Sequence, residues 1–206
     1  MILRENYLMK KLNLPNKLTV FRLLLVPVFV FFILIDEDLG LGPTGDYIAL
    51  GVFVLASITD FFDGYIARKE NLVTNFGKFM DPLADKLLVC SAFICLSSMG
   101  RIRTWETVLV VCREFVISGI RLIAAEDGVV ISASIWGKIK TVVSMTMIIA
   151  VILHLHVNLP PAAAAYFGWW AVFEQILIYA SVVFTVVSLI DYIFKNRHVL
   201  KDELLL

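Results

Sequence analysis

Four aspartates carry the spacing of a chemical site. Asp60 and Asp63 are three residues apart and Asp81 and Asp85 four apart, so on helices the members of each pair share a face. A short polar stretch from Lys69 to Asn75 joins the pairs, which predicts antiparallel neighbouring helices with all four carboxylates at one end. Four carboxylates brought so close cannot all stay ionised without positive charge among them. Hard divalent cations prefer carboxylate oxygen, so the set reads as a holder for two Mg²⁺ or Mn²⁺ ions. Zinc suits it less, because no His or Cys lies nearby in sequence. The plainer alternative is a group of solvated helix ends paired with Arg68, Lys69, Lys78 and Lys86. Gly64, Ala67 and Gly77, small residues interleaved with the aspartates that permit close backbone approach, weigh against it.

The rest of the chain indicates which elements must hold these groups. Of 206 residues, 60% are hydrophobic and 17% charged, with a mean hydropathy of +0.86. Soluble domains carry about 45–50% apolar and about 25% charged residues. The apolar residues fall in long blocks, which marks an integral membrane protein. Six stretches reach or approach the roughly 20 residues of a bilayer-spanning helix: 18–35, 46–67, 82–99, 104–125, 134–156 and 169–194. The expectation is an all-α, polytopic fold of six transmembrane helices. It forms one domain over 1–206, with an N-terminal arm at 1–17 and a tail at 195–206. Charged groups near the bilayer centre cost about 2.5–3.5 kcal/mol each, so a chain that keeps several has a use for them.

Charge distribution predicts orientation. The N-terminal arm, the 68–86 segment and the tail (Lys195, Arg197, Lys201) are basic, whereas Asp36, Glu37, Asp38 and Asp46 follow the first helix. By the excess of Lys and Arg on cytoplasmic loops, the aspartates face the cytoplasm from the cell membrane. Arg101 and Arg103 run against this orientation. No small-residue cleavage site follows the first apolar run, which predicts a retained helix. A start-like stretch at Met9 predicts that residues 1–8 are a dispensable extension. The 154–168 connection, with Pro160, Pro161 and four alanines, reads as a loop. No basic block is present to track a phosphate backbone, so no nucleic-acid partner is expected, and the net charge of zero adds nothing to this. Cys90, Cys95 and Cys112 lie in apolar stretches without metal-ligand spacing and read as packing residues.

The chain matches every fixed position of the string D-x-x-D-G-x-x-A-R-x(8)-G-x-x-x-D-x-x-x-D, from Asp60 to Asp85. In this it resembles the CDP-alcohol phosphotransferases, over nearly its whole length. The family is built on six transmembrane helices with this motif on the second and third. The resemblance implies that Asp60, Asp63, Asp81 and Asp85 bind a two-metal site that grips the diphosphate of a CDP-activated donor. It implies that Asp85 is also the general base toward the attacking alcohol. Gly64, Ala67, Arg68 and Gly77 match positions around the cytidine and its phosphates, together with Asp63. It further implies a homodimer.

Three stretches are similar to the branch of that family that makes phosphatidylglycerol phosphate: Asn13 to Arg22, Cys112 to Arg121, and Gly137 to Thr141. The donor implied is CDP-diacylglycerol and the acceptor sn-glycerol 3-phosphate. A phosphate monoester carries about −1.5 to −2 charges and needs a cationic pocket. Arg113 and Arg121, eight residues apart, stand about two turns along one helix face. Lys138 and Lys140 are two apart and need not share a face, and Lys138 is the preferred of the two. Competing readings are a buried pair with Glu114 or snorkelling for Arg113 and interfacial anchoring for the lysines. Thr19 and Arg22, near the end of the first helix, are candidates for closing the site.

His154 and His156 read as interfacial, and Tyr166, Trp169 and Trp170 as an aromatic belt. Glu174 and Gln175 have no assigned role, and dimer contacts or interfacial exposure would both account for them. Rival functions are another member of the same family (a phosphatidylinositol phosphate, phosphatidylserine or cardiolipin synthase), a membrane cation transporter, or a non-catalytic lipid-binding scaffold.

Overall fold

The computed structural model describes residues 14–34, 43–70, 75–126, 131, 134–154 and 161–197, with side chains described for 19–34, 43–59, 86–124, 131, 134–154 and 168–197. The described residues form six helices and no strand: α1 (Leu14–Leu34), α2 (Pro43–Glu70), α3 (Asn75–Ser98), α4 (Thr104–Glu126), α5 (Ile135–His154) and α6 (Pro161–Lys195). The all-α expectation holds. Two helical segments, Ile135–His154 and Gly168–Lys195, are long and apolar enough to cross a membrane. Large apolar side chains such as Leu24, Trp105, Val142, Ile176 and Phe194 lie exposed on the helices, as suits segments solvated by lipid.

One correction concerns α6. Residues 161–168 of the expected 154–168 loop instead form the first turns of the helix, which opens at Pro161, while 155–160, with Pro160, lie outside the described residues. Proline at the first helical position loses no hydrogen bond, because that N–H has no intrahelical partner anyway. The four alanines that follow are the strongest helix formers.

The chain divides into two compact units, Met1–Ser91 and Ala92–Leu206. In the first, α1 packs on α2. Phe29 and Phe53, both fully buried, meet with ring centroids 5.8 Å apart. Pro27 sits inside α1 without ending it.

In the second unit, α6 packs against both α4 and α5. The entry to α4 is set by short-range chemistry. Gly100 adopts φ 72°, a left-handed conformation that glycine takes without penalty, and Arg101 N–H closes back on the Leu96 carbonyl at 2.9 Å. Glu106 then accepts the Arg103 N–H at 3.0 Å, one half of a capping box. Helix α5 is capped by Ser134, whose Oγ accepts the Gly137 N–H at 3.2 Å. The antiparallel α5–α6 contact carries a polar seam. Ser144 and Ser181 share a buried hydrogen bond of 2.8 Å, and His154 Nδ1 lies 2.9 Å from Glu174 Oε2. Glu174, left without a role by the sequence, is thus the partner of His154.

The seam yields a test. Ser181 is fully buried, so Ser181→Leu should crowd α5 and cost about 1–3 kcal/mol. Ser181→Ala loses only an interhelical hydrogen bond worth about 0.6 kcal/mol. Thermal unfolding in detergent should therefore rank wild type, Ser181→Ala and Ser181→Leu in falling order.

Candidate active site

The aspartates stand on helical backbone. Asp60 and Asp63 fall in the last three turns of α2, and Asp81 and Asp85 in the first three turns of α3. Residues 71–74 between the helices lie outside the described residues, as do the side chains of Asp60, Asp63, Gly64, Ala67, Arg68, Gly77, Asp81 and Asp85. The backbone fits the expected use. Helical spacing keeps each pair one turn apart, and an all-carboxylate donor set is what a hard divalent cation selects. Among the described residues, which leave out these four side chains, no group of three or more His, Cys, Asp or Glu could hold a metal.

Thr19 and Arg22 lie one turn apart near the start of α1, and both are buried. Burying a guanidinium this deeply is costly unless polar or anionic groups surround it, so Arg22 belongs to the interior of its unit.

The predicted cationic residues lie in the second unit, and the structure sorts them. Arg113 and Glu114 on α4 and Lys140 on α5 are all buried, at 7%, 8% and 2% exposure. Arg113 Nη1 donates to Glu114 Oε1 at 2.8 Å, and Lys140 Nζ donates to the same oxygen. Arg113 also donates from Nε and Nη2 to Ser188 Oγ of α6, at 3.0 and 2.8 Å. The sequence preferred Lys138 over Lys140. The structure buries Lys140 against Glu114 and leaves Lys138 exposed in the first turn of α5. Lys140 points inward because the α5 face carrying Lys140, Ser144, Met147 and Val151 packs inside the unit.

Arg121, two turns beyond Arg113, is half-buried over the ring of Tyr192, its guanidinium carbon 5.7 Å from the centroid. That distance is within reach of a cation–π attraction. Arg121 Nε and Tyr192 Oη are both buried with no hydrogen-bond partner among the described residues. Tyr192 packs with Ile117 and Ile120. Arg113, Arg121 and Lys140 thus set three cations against the carboxylate of Glu114, while Asp191, three residues beyond Ser188 on α6, is paired with Lys195 at 2.8 Å. This surplus of positive charge among the described residues suits a phosphate dianion.

Gly137 brings the first turn of α5 close to this cluster. A methyl placed on it would lie 3.5 Å from Arg113 Nη2, an ordinary contact distance. The sequence reading missed Ser188 and its neighbours Ser181 and Thr185, all fully buried. Their spacing of four and then three residues puts them on one face of α6, a signal present in the sequence as a hydroxyl stripe in an apolar helix.

The two lysines should separate in experiment. Lys140→Met leaves the buried Glu114 carboxylate with Arg113 as its one remaining described partner, and is expected to cost at least about 1 kcal/mol. Lys138→Met, at an exposed position, should stay within about 0.5 kcal/mol. Unfolding midpoints in detergent check both.

Comparison with known proteins follows the same lines. A sequence model of the CDP-alcohol phosphatidyltransferase family matches residues 12–193. The CDP-diacylglycerol–glycerol-3-phosphate 3-phosphatidyltransferase of Bacillus subtilis (strain 168) is 42% identical over 198 residues, covering 93% of this chain and 98% of that protein. Proteins of the same name from Rickettsia typhi and Haemophilus influenzae are also similar. The first is 44% identical over 143 residues (68% of this chain, 76% of that protein), the second 33% over 201 residues (94% and 98%). With a match running from α1 to α6 and relatives this similar along nearly all of its length, the chain belongs to the CDP-alcohol phosphatidyltransferase family.

Proposed function

We propose that the protein transfers the phosphatidyl group of CDP-diacylglycerol to sn-glycerol 3-phosphate, releasing CMP and forming phosphatidylglycerol phosphate. Family membership and the names of the relatives support the reaction class. The observation that carries the acceptor is the cationic surplus of Arg113, Arg121 and Lys140 over Glu114. An uncharged alcohol would not need it.

In this reading Asp60, Asp63, Asp81 and Asp85 hold two Mg²⁺ or Mn²⁺ ions. When bound, the ions neutralise the donor diphosphate and the charge that develops on the transferring phosphoryl group and leaving CMP. Arg68 donates hydrogen bonds to donor phosphate oxygens, while Asp63, Gly64, Ala67 and Gly77 border the cytidine. Asp85 takes the proton of the attacking hydroxyl, and its placement compensates for the weak basicity of a carboxylate. Arg113, Arg121 and Lys140 receive the phosphate of the acceptor. Lys138 meets it only at the rim, and Thr19 and Arg22 help to close the site. The single family match from residue 12 to 193 supports one catalytic domain over both units. Six membrane-spanning helices in the family's fold, a multi-pass position in the cell membrane with the aspartates facing the cytoplasm, and a homodimer complete the proposal.

Purified protein given labelled glycerol 3-phosphate, CDP-diacylglycerol and Mg²⁺ should form a lipid-linked product and CMP, and chelation of the metal should abolish both. Asp85→Asn should lower turnover about 10²–10⁴-fold with donor binding kept. Absence of a lipid product, or a preference for inositol phosphate or serine, would overturn the acceptor assignment.

A further inference from the structure

Arg113 is held from two sides by groups that nothing above places against a substrate. Glu114 Oε1 takes Nη1 at 2.8 Å, and Ser188 Oγ takes Nε and Nη2 at 3.0 and 2.8 Å. Ser188 Oγ donates its own proton to the Thr185 carbonyl at 3.2 Å. A hydroxyl has one donor and two lone pairs, so this one is fully engaged and its direction is fixed. Glu114 Oε1 also binds Lys140 Nζ. One carboxylate oxygen on α4 and one hydroxyl on α6 therefore set the pose of both buried cations.

A guanidinium carries five N–H groups and an ammonium three. The contacts described leave one N–H on each Nη of Arg113 and two on Lys140 without a partner among the described residues. The two Nη atoms are the prongs of the fork that engages two phosphate oxygens. A free arginine side chain would have to lose several rotatable bonds on binding a phosphate. One already clamped does not, and that difference appears as affinity.

We propose that Glu114 and Ser188 are positioning residues for the acceptor: they hold Arg113, and Glu114 also holds Lys140, with the remaining N–H groups set for a phosphate monoester. The proposal rests on the reading of this cationic cluster as the acceptor-phosphate site. Neither residue touches the acceptor. Each acts through the cation it orients.

The test is steady-state kinetics with both substrates varied, on Glu114→Gln, Ser188→Ala and Arg113→Gln in the full-length enzyme, with inorganic phosphate as a competitive probe. Each positioning variant is expected to raise the KM for glycerol 3-phosphate about tenfold and to weaken phosphate inhibition by a similar factor. The KM for CDP-diacylglycerol and kcat at saturation should stay within about twofold. Combining Ser188→Ala with Arg113→Gln should raise the acceptor KM no further than Arg113→Gln does alone. Ser188→Ala removes only one oxygen, so it decides the matter even where Glu114→Gln fails to fold. If Arg113→Gln raises the acceptor KM while the positioning variants do not, the positioning role falls and the acceptor site stands. If Arg113→Gln itself leaves that KM unchanged, the acceptor reading falls. A uniform drop in kcat without a KM split, or additive effects in the double variant, also overturns the proposal.

Discussion

Charge in an apolar helix has to be answered by other charge, and in this protein the answer for the second unit is Glu114. Its carboxylate lies between Arg113 on its own helix and Lys140 on α5. Without it two cations would be buried with no described counter-charge, at a high desolvation cost. With it, α4 and α5 are tied through an ion pair, and α6 joins through Ser188. The tie between α4 and α5 and the direction of two cations thus depend on one acidic side chain, with Ser188 joining α6 to Arg113. The balance is deliberately incomplete, since Arg121 adds a further cation beside Tyr192.

The other end of the same helices shows a contrast. There Glu174 faces His154, and Arg101 donates to the His154 carbonyl at 3.3 Å. That cluster joins the end of α5, the side of α6 and the turn before α4. It has the makings of a structural tie between these elements.

Much of this was legible in the residues. Block hydropathy located all six helices, because an apolar run of about twenty residues has few other uses. The aspartate string gave the family, because its eight fixed positions leave little room for coincidence. Other features depended on which way a helix faces, which spacing alone does not settle. Lys138 and Lys140 are equivalent by composition, and only the packing of α5 turned the second inward. Arg113 and Glu114 are adjacent in sequence and so nominally point apart, yet long side chains let them meet. The partner Ser188 lies 75 residues away, a separation no local pattern bridges. The loop expected before residue 169 failed for a local reason, since paired prolines mark the start of a helix as readily as its absence.

The choice of a hydroxyl at Ser188 has an electrical consequence. A carboxylate in its place would hold the guanidinium more tightly, but it would also cancel the field that the proposed acceptor site relies on. A serine is neutral at every pH the enzyme meets, so it fixes direction and leaves the potential untouched. Glu114 thus both aims the arginine and offsets part of its charge, whereas Ser188 aims it without offsetting any.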